Sequence, residues 1–360
     1  MHNYIMLFFR PGVNYFLRTK FAILIYMDIE TLLKNTSRSL YLSVQALPGN
    51  MRPAFGIAYL LCRYADTIAD TSILPAQRRL YWIERFPLLL KEQNRQEISL
   101  LASEICGGSE NPYEKELIKN LLPCLQVLNQ VSAKQLPIIM DVVQAVCDGM
   151  KIDLNTFPEE HSAQIQAFQT PDDLQHYCRL MGGKPGLFWS RLICTTTKID
   201  MPEKEFYELG QHIGDALQIV NILRDLPKDL RIGRCYFPAQ DLAQHGLTAA
   251  DLLIPENATR FEPVKRKWIL WGVNNLKSAV RYFAQLPKCQ PGGRAAVAWP
   301  VLWTADTLLK VWQTPDLLNP QKRVKIPRSN IYSTMLCTPP ILISNLLFSK
   351  WLGGKLGKFN

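Results

Sequence analysis

Acidic residues are missing from both ends of this chain. The first 27 residues hold Arg10, Arg18 and Lys20 but no Asp or Glu, and no acid follows Asp316. Ends of that kind favour anionic surfaces. Ordered cysteine spacing is missing as well. Nine Cys are scattered without a C-x-x-C pair, which excludes a disulfide framework and a zinc site. They read as small apolar residues buried in a reducing compartment. Long apolar runs are also absent. Ile5 to Phe9 and Phe21 to Met27 are too short to span a bilayer, and Pro339, Pro340 and Asn345 interrupt the last apolar stretch. Internal repeats and low-complexity linkers do not occur, and alternating β-type runs are few. An all-α domain is the expectation.

What is present is enough for a large packed core: 360 residues, 48% hydrophobic and only 20% charged. The net charge of +10 has two sources. One is arginine beside aspartate-rich stretches, which suits an anionic small substrate. The other is the tail, which holds Lys322, Arg323, Lys325, Arg328, Lys350, Lys355 and Lys358. Nucleic acid is not an expected partner. The tail reads either as a membrane-surface segment or as a loosely packed basic extension. Residues 1–27 read as a basic targeting or membrane-surface segment, or as an over-extended start. The second is preferred, because helical patterning begins at Asp28.

Two stretches organise the rest. In Gln218 to Pro238 (QIVNILRDLPKDLRIGRCYFP), Gln218, Asn221, Asp225 and Asp229 fall at i, i+3, i+7 and i+11, on one helical face. In Tyr59 to Asp70 (YLLCRYADTIAD), Tyr59, Arg63, Asp66 and Asp70 fall at i, i+4, i+7 and i+11. A single D-x-x-x-D is most often a solvated acidic face. Here Leu60, Leu61, Ile68, Ile219, Ile222 and Leu223 leave little room for one. Carboxylates suit Mg²⁺, which binds through one or two of them plus substrate phosphates, and Arg suits the same phosphates. The pattern therefore points to a diphosphate held by magnesium between two helices. Pro227 is expected to end or kink the second helix before Asp229.

Other stretches are open to two readings. Ser37 or Ser39 serves as a helix N-cap, or joins Arg38 in an anion site. Pro53 suits the first turn of the first aspartate helix. Ala76 to Asn129 and Pro137 to Asp153 read as amphipathic helices, and Val264 to Leu286 and Ala295 to Val311 as two final ones. Between Leu174 and Leu192, Gly182-Gly183 and Pro185-Gly186 kink or split a helix, or admit a close neighbour. Tyr177, Phe188 and Trp189 around that break belong to the core, or wall a cavity that faces a cation.

These residues resemble the squalene/phytoene synthase family, closest to its squalene-synthase branch. TSRSLYLSVQALPGNMR (36–52) is similar to its opening motif, YLLCRYADTIAD to its first aspartate-rich motif and QIVNILRDLPKDLRIGRCYFP to its second. HYCRLMGGKPGLFWSRL resembles its central Tyr-Cys segment. The likeness covers roughly residues 30 to 310, in the right order. It implies an all-α isoprenoid-synthase fold around a central cavity, a catalytic domain over 28–312 and a tail over 313–360. It implies Mg²⁺ at Asp66, Asp70, Asp225 and Asp229, with Asn221 assisting. Ser37, Arg38, Ser39, Arg52, Tyr59, Arg63, Gln218, Arg224 and Arg234 would hold diphosphate. NADPH, where used, would lie near Arg38, Arg63 and Arg224. Tyr177 matches an aromatic that handles protons or cations.

The implied reaction joins two prenyl diphosphates head to head, through a cyclopropyl diphosphate. Squalene synthases then use hydride from NADPH; phytoene synthases lose a proton instead. Leu180 stands where squalene synthases often carry a second aromatic. Lys184-Pro185 replaces small apolar residues, and Ala69 an acidic one. These departures put the product in question. A squalene-type enzyme on farnesyl diphosphate, cytoplasmic and peripheral to a membrane, is the leading reading. A phytoene-type enzyme on geranylgeranyl diphosphate, or a silent assembly protein of the same fold, are the competitors.

Overall fold

The computed structural model describes residues 30–36, 40–49, 51–107, 112–157, 165–322 and 324–359. Most of them are helical. The helices used below are α1 (Leu40–Ala46), α2 (Arg52–Asp70), α3 (Ala76–Glu92), α4 (Arg95–Ile105), α5 (Pro112–Lys119), α6 (Leu121–Leu128), α7 (Leu136–Thr156), α8 (Pro171–Cys178), α9 (Lys184–Cys194), α10 (Glu203–Arg231), α11 (Ala239–Ala243), α12 (Ala258–Leu276), α13 (Ser278–Gln285), α14 (Pro291–Trp312), α15 (Arg328–Cys337), α16 (Pro339–Ile343) and α17 (Asn345–Leu356). The all-α expectation is met. Two two-residue strands, β1 (Gln166–Ala167) and β2 (Arg234–Cys235), pair in parallel. Among the described residues no helix is long and apolar enough to cross a membrane.

α10 is the spine. Its 29 residues span about 44 Å at 1.5 Å per residue. It packs against α9 on one side and α12 and α14 on others, while α2 and α3 pack on α7. Ala54, Ile57, Leu61, Ala65 and Ile68 put one buried face on α2. Pro53 stands in its first turn, where no N–H is required. α8 is started by a capping box: the Thr170 hydroxyl accepts from Asp173 N–H at 3.2 Å, and the Asp173 carboxylate accepts from Thr170 N–H at 2.8 Å.

Four expectations about boundaries are corrected. Pro227 does not end α10, which runs on to Arg231. Its ring is buried within the bundle, and packing over the whole helix outweighs the one hydrogen bond that proline removes. Val264 to Leu286 is two helices, with Lys277 between them. The chain does not finish its helices at α14. The 313–360 region is not a loose extension, because α15 to α17 fold back on α14 and α13. Phe348 stacks on Phe283 at 3.9 Å, Asn345 accepts from the buried Arg294 at 2.6 Å, and Phe359 meets Trp312 edge-on.

The Gly-Pro interruption also behaves in a defined way. α8 and α9 form one continuous rod through a π turn at Arg179–Gly183, so the helix is not split. The glycines serve close approach instead. A Cβ on Gly182 or Gly214 would overlap the other's carbonyl, and one on Gly186 would overlap that of Gly210. The rod and α10 therefore touch backbone to backbone. Gly214→Ala is expected to lower stability by about 1–3 kcal/mol through overpacking, read as a fall in the thermal unfolding midpoint. An unchanged midpoint would show that this seam is slack.

Candidate active site

The rod, α2, α7, α10, α13 and α14 enclose a cavity of about 580 Å³. Most of its wall is apolar, including Phe55, Val146, Met150, Met181, Phe188 and Val301. At one end the wall is polar. Tyr59, Arg63 and Asp66 come from α2, and Gln218 and Asn221 from α10. The two stripes read from the sequence thus face one chamber. Tyr282 also lines it, stacked on Phe206 at 4.2 Å and hydrogen-bonded to Ser190 at 3.0 Å.

The remaining predicted acids gather beside that polar end. Asp153, on the last turns of α7, accepts hydrogen bonds from Tyr177 at 2.8 Å and Tyr236 at 3.3 Å, and lies 3.9 Å from Arg234. Its other oxygen, Oδ1, is buried without a hydrogen-bond partner. Burial pushes the Asp153 carboxyl up to about 7, opposed by Arg234 and Tyr177 and reinforced by the charge of Asp70. Asp229 is likewise pushed up to about 7, by burial and then by Asp225, with Lys228 and Arg234 opposing and Asp153 adding repulsion. Charge repulsion thus links Asp70 to Asp153, Asp153 to Asp229 and Asp229 to Asp225. The far ends of both stripes meet there.

The strand pair explains how Arg234 arrives. Gly233 takes φ +85°, a conformation open to glycine, and turns the chain from α10 into β2. Pairing with β1 then fixes Arg234, and Tyr236 beyond it stacks on Tyr177 at 5.0 Å. Burial raises the pKa of both phenols well above the ordinary tyrosine value. Tyr177 therefore keeps its proton, aimed at Asp153.

Other predicted residues fall in varied places. The Asp66 carboxylate is turned to Arg63, which also reaches Glu114 on α5 at 2.6 Å. Asp225 is held by its neighbour Arg224 at 2.5 Å. Tyr59 donates to the Thr36 carbonyl at 2.9 Å. Arg52 is not brought to the cavity; its guanidinium donates to the Gln45 and Leu47 carbonyls at 2.9 and 3.0 Å, closing the end of α1. In this position it donates to backbone and does not line the cavity. Ser37, Arg38 and Ser39 lie outside the described residues. Three contributors had no place in the sequence reading. Asp153 stood out only as a lone acid between Ile152 and Leu154. Tyr236 was embedded in a motif already quoted, and Glu114 had no signal.

No three His, Cys, Asp or Glu among the described residues stand grouped as a metal site. The donor chemistry nevertheless fits a hard divalent cation. All donors are oxygen, Asp153 Oδ1 lacks a partner, and burial and mutual repulsion lift Asp153 and Asp229. Asp66 and Asp225 would turn from their arginines to join such an ion, leaving Arg63 and Arg224 for phosphate oxygens.

One further ion pair, half of it buried, borders the site. Asp215 is fully buried on α10 and lies 2.6 Å from Arg179 of the π turn, which also donates to Gln211 at 2.5 Å. Neither Asp215 oxygen has a well-aligned hydrogen bond. Burial outweighs Arg179 and raises this carboxyl from the usual 3.8 to about 7. The folded state then holds a proton that the unfolded state releases above pH 4. This group's contribution is present at low pH and lost as pH rises through about 7. The thermal midpoint of Asp215→Asn, measured relative to the parent, is therefore expected to rise by several degrees between pH 5 and pH 8. A constant or falling difference would overturn that sign.

The squalene/phytoene synthase family profile matches residues 33–330. Squalene synthase of Schizosaccharomyces pombe is 24% identical over 305 residues, 85% of this chain and 63% of its own. Presqualene diphosphate synthase of Rhodopseudomonas palustris is 29% identical over 215 residues, 59% of this chain and 62% of its own. Bifunctional lycopene cyclase/phytoene synthase of Phaeosphaeria nodorum is 28% identical over 242 residues, 65% of this chain and 38% of its own. The chain thus spans between 38% and 63% of the length of these relatives. A ligand complex of TcSQS superposes with a TM-score of 0.75 at 19% identity, covering 92% of this chain and 90% of that one. Squalene synthase HpnC from Alicyclobacillus acidocaldarius gives a TM-score of 0.56 at 18% identity, covering 81% and 96%. The architecture is the isoprenoid-synthase fold. The chain belongs to the squalene/phytoene synthase family.

Proposed function

We propose that this chain is a Mg²⁺-dependent prenyltransferase that joins two farnesyl diphosphates head to head, giving presqualene diphosphate and then squalene. The observation that carries this reading is the large apolar chamber with Arg63, Asp66, Gln218 and Asn221 at one end, beside the crowded acids of both motifs.

The residues divide the work by chemistry. Arg63 and Arg224 exchange their carboxylate partners for diphosphate oxygens, and Gln218, with Tyr59 once it leaves the Thr36 carbonyl, orients the same group by hydrogen bonding. Magnesium, when bound, neutralises the negative charge that develops on the departing diphosphate. The apolar wall excludes water from the carbon cation left behind, which would otherwise be trapped as an alcohol. Tyr177 holds its hydroxyl proton toward Asp153 Oδ2, in a buried network that keeps both groups fixed. Reduced nicotinamide, when bound, supplies the hydride that completes squalene.

Asp66→Ala and Asp225→Ala are each expected to cut kcat on the order of a hundredfold or more. Product mass after incubation with farnesyl diphosphate, Mg²⁺ and NADPH tests the assignment. Squalene that depends on NADPH supports it. Phytoene formed from geranylgeranyl diphosphate without NADPH would replace it with the phytoene-type reading. Full biological function in either variant would indicate the silent assembly role.

The tail supports a peripheral position on an anionic bilayer. Tyr332, Leu336, Ile343, Leu346 and Leu347 are exposed on α15 to α17, Leu336 by 80%. Exposed Lys325, Arg328, Lys350 and Lys358 accompany them, and no acid follows Asp316. Apolar side chains among cations match a lipid surface in both respects. The Leu336→Glu/Leu346→Glu variant is expected to bind phosphatidylglycerol-containing vesicles about tenfold less tightly or worse, with turnover in detergent retained. Co-sedimentation reads this out; equal binding, or a change in oligomeric state instead, would refute a lipid partner.

A further inference from the structure

The main cavity has a neighbour. A second hollow of about 280 Å³ opens on the outside of α7 and the rod, and the two share Val142 and Phe188 in their walls. Phe188 is buried and is braced on the inner side by Phe55, ring centroids 5.8 Å apart. Beyond it the buried side chains Ile138, Ala145 and Leu180 form an apolar bed. The mouth of this outer hollow is polar: Asp141 and Gln144 are exposed there, and Asp141 is paired with Arg191 at 2.6 Å.

We propose that Phe188, which shares the dividing wall with Val142, is the stop that fixes the length of prenyl chain this enzyme accepts. The inference rests on the prenyltransferase reading above and adds its specificity element. A hydrocarbon chain running away from the polar end has apolar surface to follow until it meets an end wall. Here the far side of the wall is not solid core but a second apolar-floored space. Removing the Phe188 ring would join the two, so a longer chain would find both room and an apolar lining. Enlarging the side chain would shorten the chamber. The leucine next to it, Leu187, lines only the outer hollow and offers a control.

The test compares C15 and C20 prenyl diphosphates on the parent, Phe188→Ala, Phe188→Leu, Phe188→Trp and Leu187→Ala. Two quantities are measured: kcat/KM with Mg²⁺, and Kd for the unreactive thiolodiphosphates. Phe188→Ala is expected to raise the C20:C15 ratio about tenfold or more, Phe188→Leu by less, and Phe188→Trp to lower it. Leu187→Ala is expected to leave it unchanged. Each variant is assayed well below its own unfolding midpoint; the leucine variant carries the test if the alanine one fails to fold. A ratio unmoved in folded Phe188→Ala or Phe188→Leu, or moved equally by Leu187→Ala, overturns the stop. Absence of turnover in the parent overturns the prenyltransferase reading, while the Kd ratio still decides whether Phe188 limits chain length.

Discussion

Charge crowding governs this structure. Asp70, Asp153, Asp225 and Asp229 are brought into one partly buried neighbourhood from α2, α7 and α10. Left alone they would drive those helices apart, because like charges in a medium poorer than water repel strongly. Arg234 answers part of the repulsion, and Asp153 and Asp229 answer more of it by favouring protons. Arg63 and Arg224 are occupied with Asp66 and Asp225.

The crowding is held by close backbone contact elsewhere. Gly182, Gly186, Gly210 and Gly214 let the α8–α9 rod lie directly on α10. That contact fixes the height of Gln218 and Asn221 relative to Met181 across the chamber. The pair of buried Asp215 with half-exposed Arg179 lies beside the same seam. Buried ion pairs add little net stability against apolar replacements.

Much of this was legible in the residues. Two D-x-x-x-D stripes embedded in apolar text required facing helices, and Asp66 and Asn221 do line one cavity. The all-α class followed from 3.6-residue periodicity. What escaped had physical causes. Pro227 reads as a terminator because local propensity is visible in sequence, whereas packing along all of α10 is not. Arg52 lies in a motif but is used on the carbonyls of Gln45 and Leu47, a local closure indistinguishable by composition from anion binding. Asp153 is far in sequence from either motif and announces itself only through Tyr177 and Arg234 in space. The tail's basic, interrupted text concealed Phe348, Leu352 and Phe359, which are buried.

Helix α14 has two faces with different neighbours. Ala296, Val297, Pro300 and Val301 look into the chamber, while Trp299 bonds to Thr338 and Asp306 pairs with Lys355 of the tail. One helix thickness therefore separates the hydrocarbon interior from the chain's last forty or so residues. Pro300 in its middle removes one rung of its hydrogen-bond ladder. The helix gives up that rung where it borders the chamber, and its outer brace is a segment with Leu336, Ile343 and Leu346 exposed. A shift of the tail would therefore bear on the chamber wall through α14.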